Sequence, residues 1–143
     1  MQLTSFTDYG LRAMMRLAAE PGVPLSSAQI ADELAVPRNH LTKSTAALSR
    51  AGLIVTRRGG GGAILARPAE SITLGEITRT LSANHALVEC FRTDGGQCVL
   101  RPHCRLRMKL ADAREAFLAR LDETSLAEVA LDPLFAGQGA IRL

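Results

Sequence analysis

Four consecutive glycines, Gly59, Gly60, Gly61 and Gly62, stand between two short apolar runs, Leu53-Ile54-Val55-Thr56 and Ala63-Ile64-Leu65-Ala66. Two such runs about a glycine turn predict a β-hairpin. What precedes the hairpin is helical. Ser26-Ser27-Ala28-Gln29 is a capping box, with Ser at N-cap and Gln at N3, and it opens a short helix through Ile30, Ala31 and Leu34 that ends near Ala35. Another helix begins around Pro37, carries Leu41, Ala46, Ala47 and Leu48, and stops at Gly52, a good residue just past a helix end. Upstream, Leu11, Met14, Met15 and Ala18 recur at 3- and 4-residue steps and predict a helix over about residues 7–19. Thr4 or Ser5 can cap it, Asp8 sits in its first turn, and Arg12 and Arg16 take another face. Glu20-Pro21-Gly22-Val23-Pro24 ends it in a turn. The order helix, short helix, turn, helix, hairpin is the winged helix-turn-helix arrangement, a mainly α fold with one small β-hairpin.

Beyond Pro68, Thr73-Leu74-Gly75-Glu76 reads as a further capping box, for a helix through Ile77 and Leu81. Residues 84–103 show no period. From Cys104 to Leu121 comes the longest helical signal, with Leu106, Leu110, Ala113, Phe117 and Leu121 in a narrow stripe of the kind that forms a helix–helix seam. Ser125-Leu126-Ala127-Glu128 caps a short last helix, and Asp132 onwards reads as a loose tail. The chain thus divides into a winged helix-turn-helix over 1–82, a loop over 83–104, and a dimerisation helix with a C-terminal tail over 105–143.

Composition excludes several classes. Of the 143 residues 47% are hydrophobic and 22% charged, which is globular rather than disordered. Five aromatics (Phe6, Tyr9, Phe91, Phe117, Phe135) are too few for a platform that stacks single-stranded bases. No apolar run is long enough to span a bilayer, and the first residues lack a signal peptide's basic and apolar regions. A cytoplasmic location follows, in which three cysteines do not make a disulfide framework. The enzyme class is unsupported: there is no nucleophile–base pair with local support, no phosphate loop between strand and helix, and no paired-carboxylate site.

The net charge of +3 is unevenly spread. Residues 36–69 hold six basic side chains and no acid, which suggests a surface that meets a polyanion. Within that stretch Arg38, Asn39, His40 and Lys43 occupy the first two turns of the predicted third helix, where a recognition helix presents polar groups to the major groove. Arginine pairs bidentately with guanine and asparagine with adenine. Thr42 and Ser44 can donate to phosphates, and Arg57 and Arg58 flank the glycines of a wing that can approach a phosphate strand or the minor groove. The bland alternative is a solvated helix face with a flexible hairpin tip. The helix order, the acid-free stretch and the Arg-Arg-Gly tip together favour double-stranded DNA.

The second constellation is Cys90, Cys98 and Cys104, the chain's entire cysteine content, spaced C-x7-C-x5-C in an irregular loop. The paired C-x2-C elements of zinc ribbons and ferredoxins are absent. Three thiols within fifteen residues nevertheless favour metal or cluster ligation over cysteines scattered as small hydrophobes. An iron–sulfur cluster needs a fourth ligand. Asp8, His85, Glu89, His103 or a residue of a partner subunit are the candidates.

The opening MQLTSFTDYGLRA, the segments RNHLTK and LSRAG, the Arg-Arg-Gly-Gly wing and residues 88–106, VECFRTDGGQCVLRPHCRL, resemble the NsrR group of nitric-oxide-sensing repressors, which share a winged-helix regulator family with IscR. The resemblance covers all but the last dozen residues. It implies a homodimeric repressor with one iron–sulfur cluster per subunit, [4Fe–4S] rather than [2Fe–2S], held by Cys90, Cys98 and Cys104. IscR places a histidine ligand three residues after its third cysteine. Here that position is Arg107. Regulators of the NsrR type use an acidic residue near the partner's N-terminus, which Asp8 matches. The expectation is a repressor released from a palindromic operator by nitric oxide. The alternatives are a regulator answering to iron–sulfur status or thiol redox state, and a helix-turn-helix module that binds protein.

Overall fold

In a computed structural model, which describes residues 2–101 and 103–132, Thr4 accepts a hydrogen bond from the Thr7 amide at 3.2 Å and so starts helix α1 (Ser5–Ala19). The Ser26 capping box forms as expected, with Gln29 N–H on Ser26 Oγ at 3.1 Å and Ser26 N–H on Gln29 Oε1 at 2.8 Å. It opens α2 (Ser27–Leu34), which closes on Ala35 in the left-handed conformation. Pro37 caps α3 (Arg38–Arg50), one position before the first helical residue. Gly52, at φ +75°, turns the chain into β1 (Ile54–Thr56), which pairs antiparallel with β2 (Ala63–Leu65) in the register Ile54–Leu65, Val55–Ile64, Thr56–Ala63.

The hairpin is anchored at its base to the turn before α2. Leu25 and Ala63 exchange backbone hydrogen bonds at 2.8 and 3.1 Å. Gly62 makes that approach possible: its φ is +80°, and a Cβ there would stand 2.7 Å from the Leu25 backbone. Beneath lies one apolar core built from Met14, Leu17, Ile30, Leu41, Leu48, Leu53, Ile54, Ile72, Ile77 and Leu81. Gly10 lets α1 lie directly on α4 (Leu74–Ser82), where any added methyl would run into Leu81.

Several residues sit differently from the sequence expectation. Arg16 is buried, not on an exposed face, because Glu33 from α2 accepts its Nε–H and Glu20 lies 2.9 Å from Nη1. Burial alone would lower its pKa, but the two carboxylates together hold it above its ordinary value. Ala46 faces solvent, and Ser44 and Thr45 take core positions on α3 instead. Glu76 does not complete a capping box at Thr73; its carboxylate pairs with Arg67. In α5 (Arg105–Asp122) the buried residue is Leu118, while the stripe Leu106, Leu110, Ala113, Phe117 and Leu121 stays partly or fully exposed in the single chain. The last short helix is a 3-10 turn, Leu126–Val129, with its Ser125–Glu128 capping box formed. Phe135 and the tail after Asp132 lie outside the described residues.

That turn returns to the winged part of the chain. Leu126 is fully buried in the common core, its N–H bonds to Ile72 O at 2.8 Å, and Leu74 N–H bonds to Thr124 O at 3.0 Å. Residues 124–131 therefore complete the core laid down before residue 82. The contact between α4 and α5 is close. Gly75 packs against the Leu118 carbonyl, where a Cβ would come within 2.9 Å. Arg79 donates to both oxygens of Asp122, at 2.7 and 2.6 Å, and the Thr73 hydroxyl adds a third hydrogen bond at 3.2 Å.

This clamp has a pH signature. The Arg79 hydrogen bonds, with help from Thr73, hold the Asp122 carboxyl below its ordinary range. A carboxyl with a depressed folded-state pKa stabilises the fold above its unfolded value, roughly 3.9, and loses that contribution as pH falls through the folded value. Asp122→Asn is therefore expected to lower the thermal midpoint at pH 7, with the gap to the parent protein shrinking below about pH 4. Both side chains are over a third exposed, so the shift is modest. Parallel melting curves at pH 7 and pH 3 check it, and a gap that does not change with pH contradicts it.

Candidate nucleic-acid interface and cysteine loop

The acid-free stretch of the sequence supplies the exposed side of α3 and the hairpin tip. Arg38, Asn39, His40, Thr42 and Lys43 are all exposed along the first half of α3, and Arg57 and Arg58 are exposed on the hairpin tip, where the chain makes a 3-10 turn at Arg58–Gly60. α2 and the turn at Ala35 and Val36 fix the direction of α3: the Val36 amide bonds to Ala31 O at 3.0 Å, and Ser27 Oγ lies 3.0 Å from Thr45 Oγ1. His40 meets the Tyr9 ring edge-on at 5.9 Å between centroids.

Two expected phosphate donors are differently employed. Ser44 is fully buried and its hydroxyl bonds to Phe6 O at 2.9 Å and His40 O at 3.1 Å, so it ties α3 to the start of α1 and is not on the exposed side of the helix. Thr42 stays exposed, but its hydroxyl proton is donated to the Arg38 carbonyl at 2.9 Å. A further residue, Asp32, stands at this face without having been expected there. Its carboxylate on α2 accepts from Arg38 Nε and Nη2 at 3.1, 3.0 and 2.7 Å. Its signal in the sequence is the acid pair Asp32-Glu33, which immediately precedes the acid-free run.

The cysteine loop joins α4 to α5. Cys90 lies in a 3-10 turn, Glu89–Phe91, and Cys104 is the N-cap of α5 with no side-chain cap bond. All three cysteines are free and half-buried. Loop residues are held by local polar contacts: Glu89 accepts the Gln97 amide at 2.8 Å, Asp94 accepts the Gly96 amide at 3.0 Å, and Arg101 donates to Gly95 O at 2.8 Å. The Gly96 amide and Arg92 together depress the Asp94 carboxyl. Arg107 stacks over Phe91 at 5.7 Å, and its Nε is buried without a hydrogen-bond partner among the described residues.

The candidate fourth ligands are dispersed. Asp8 is bonded to Arg12 through both oxygens, at 3.0 and 2.7 Å. Glu89 is engaged as above, His85 lies 6.0 Å from the Phe6 ring, and His103 is exposed. Among the described residues no three metal-binding side chains stand together. The donor set still fits thiolate-bound iron by chemistry: three unpaired thiols on one loop, one of them at a helix N-terminus that favours negative charge.

The match to known proteins decides the family. The model of the family described as Rrf2, iron-dependent transcriptional regulator, matches residues 3–132. The chain belongs to the Rrf2 family. A curated Rrf2 relative, the HTH-type transcriptional regulator NsrR of Shouchella clausii, is 42% identical over 134 residues, which span 92% of this chain and 90% of that protein. Among solved structures, CymR, the global cysteine regulator of B. subtilis, is similar at 30% identity with a TM-score of 0.69, over 91% of this chain and 96% of that one. IscR of T. potens is similar at 25% identity and a TM-score of 0.69, over 98% and 93%. Among the described residues five α-helices and a two-stranded hairpin make up the Rrf2 fold, and this member is a transcriptional regulator. No helix among the described residues is long and apolar enough to cross a membrane.

Proposed function

We propose that the protein is a homodimeric repressor that occupies a palindromic operator and is released from it by nitric oxide, with an iron–sulfur cluster, [4Fe–4S] rather than [2Fe–2S], as the sensing group. The observation that carries this reading is the presence, on one chain, of an exposed basic helix face and hairpin tip and of a trio of free thiols, joined by the α4–α5 clamp. NsrR relatives at 42% identity support it.

In this reading Cys90, Cys98 and Cys104 hold the cluster, and Asp8 of the partner subunit supplies the fourth ligand. When bound, the cluster supplies iron with an affinity for nitric oxide. A carboxylate is a weaker ligand for iron than a thiolate, so Asp8 marks the labile side of the site. In the single chain Arg12 holds the Asp8 carboxylate at 2.7 Å, so Asp8 would have to leave that pair to serve as a ligand. The stripe of α5, Leu106 at 63% exposure with Leu110, Ala113, Phe117 and Leu121 partly or fully exposed, gives two copies a seam across a two-fold axis. Such a dimer offers two recognition helices to two half-sites. Cys104 caps the same helix whose other end is clamped to α4 by Arg79 and Asp122. A change at the thiols is thereby transmitted along α5 to the winged domain.

Binding to promoter duplexes is expected to weaken steeply above roughly 0.1 M salt, because arginines on phosphates release condensed counterions. Alanine at both Arg57 and Arg58 is expected to reduce the slope of log affinity against log salt by roughly 0.9 for each phosphate that is no longer neutralised. Fluorescence anisotropy across a salt series measures this. Binding that ignores salt, or a slope that the double variant leaves intact, removes the wing from the interface.

A further inference from the structure

The recognition face contains one ion pair that the fold does not need. Arg38 and Asp32 are 63% and 61% exposed, and surface pairs of this kind contribute little to stability. Each residue is also on the wrong end of its helix for its charge. Asp32 lies in the last turn of α2, where a carboxylate is disfavoured, and Arg38 opens α3, where a cation is disfavoured. Asp32 further places a negative charge beside a surface otherwise free of acids.

The geometry gives the pair a different use. A guanidinium carries five N–H groups in a flat fork. Asp32 takes the Nε edge together with one side of Nη2, at 3.1, 3.0 and 2.7 Å. That leaves Nη1 and the outer N–H of Nη2, the two-donor edge that matches O6 and N7 of guanine. The carboxylate thereby fixes the plane of a long side chain that otherwise keeps its rotamer freedom. It also neutralises Arg38, so that the guanidinium is not drawn to the nearest phosphate.

We propose that Asp32 is a positioning residue for sequence readout, holding one edge of Arg38 so that the other addresses a guanine in the major groove. This rests on the reading of α3 as the groove-facing helix. Arg38 then supplies specificity and the wing arginines supply general affinity.

The test is selection from a pool of randomised duplexes by the full-length protein, followed by anisotropy on a selected duplex and on an unrelated one. Four variants are compared with the parent: Asp32→Asn, Arg38→Ala, Arg38→Lys and Asp32→Asn/Arg38→Ala. Asp32→Asn and Arg38→Ala are expected to lose preference at the same base pair, by roughly 5- to 150-fold, the range of one bidentate base contact. Binding of Asp32→Asn to the unrelated duplex stays level or tightens. Arg38→Lys keeps the charge, loses the fork and loses the preference, and the double variant is no worse than Arg38→Ala. If Arg38→Ala loses the preference while Asp32→Asn keeps it, Asp32 does not position anything. If Arg38→Ala itself keeps the preference, the assignment of Arg38 to a base fails, and the proposal with it. Thermal melting of each variant shows that the comparison is between folded proteins. A preference lost only in step with melting temperature is a structural effect and overturns the proposal.

Discussion

Leu126→Ala is expected to destabilise the protein by about 2–5 kcal/mol, the range for removing a leucine from a closed core. Leu126 has no exposed surface, belongs to the common core in a turn that packs on α1 and on the Ala69–Ser71 turn, and is held in place by its own amide on Ile72 O at 2.8 Å. The domain cannot collapse easily around the gap, because Leu74 N–H on Thr124 O and Leu131 N–H on Met15 O pin the segment on both sides. Chemical denaturation at constant pH reads the loss as a shift of midpoint with unchanged slope. A loss below about 1 kcal/mol would show that residues after α5 are an appendage to a core completed by residue 82.

The largest functional effect is expected at the thiols. Cys98→Ala should abolish the visible absorbance of anaerobically prepared protein and, with it, the response of operator binding to nitric oxide. To turn 99% occupancy into 1%, the signal has to change affinity by about 10⁴-fold, and no other group on the loop offers chemistry of that reach. The fold is expected to survive, since no residue of 84–101 or 103–104 is buried in the core. Circular dichroism and the melting midpoint then stay close to those of the parent while the colour is lost. A coloured, nitric-oxide-responsive Cys98→Ala protein contradicts the ligand assignment.

How far the sequence anticipates these features follows from the range of the interaction involved. The Ser26–Gln29 box, the Gly52 stop and the hairpin strands are legible because their causes lie within a few residues. Arg16 is misplaced by periodicity alone, since the partner that makes its burial tolerable is Glu33, seventeen positions away on another helix. Ser44 fails for the same reason. A serine on a polar helix face resembles a phosphate donor until the Phe6 carbonyl is known to stand 2.9 Å away. Along α5 the narrow stripe leads away from Leu118, the residue that packs within the chain, because the stripe's own residues stay partly or fully exposed while Leu118 turns to the core. The thiols stand out by clustering, yet no spacing reveals that the candidate fourth ligands are held elsewhere, Asp8 by Arg12 and Glu89 by the Gln97 amide.

In the proposed function a thiolate-held iron–sulfur centre governs occupancy of DNA. One anaerobic preparation tests it when iron, sulfide and the absorbance near roughly 400 nm are measured alongside operator binding, before and after nitric oxide is added. Iron and sulfide are expected in the protein, with an absorbance band that changes with nitric oxide and release of the operator in the same sample. Protein free of both elements that still binds and releases its promoter in response to nitric oxide contradicts it.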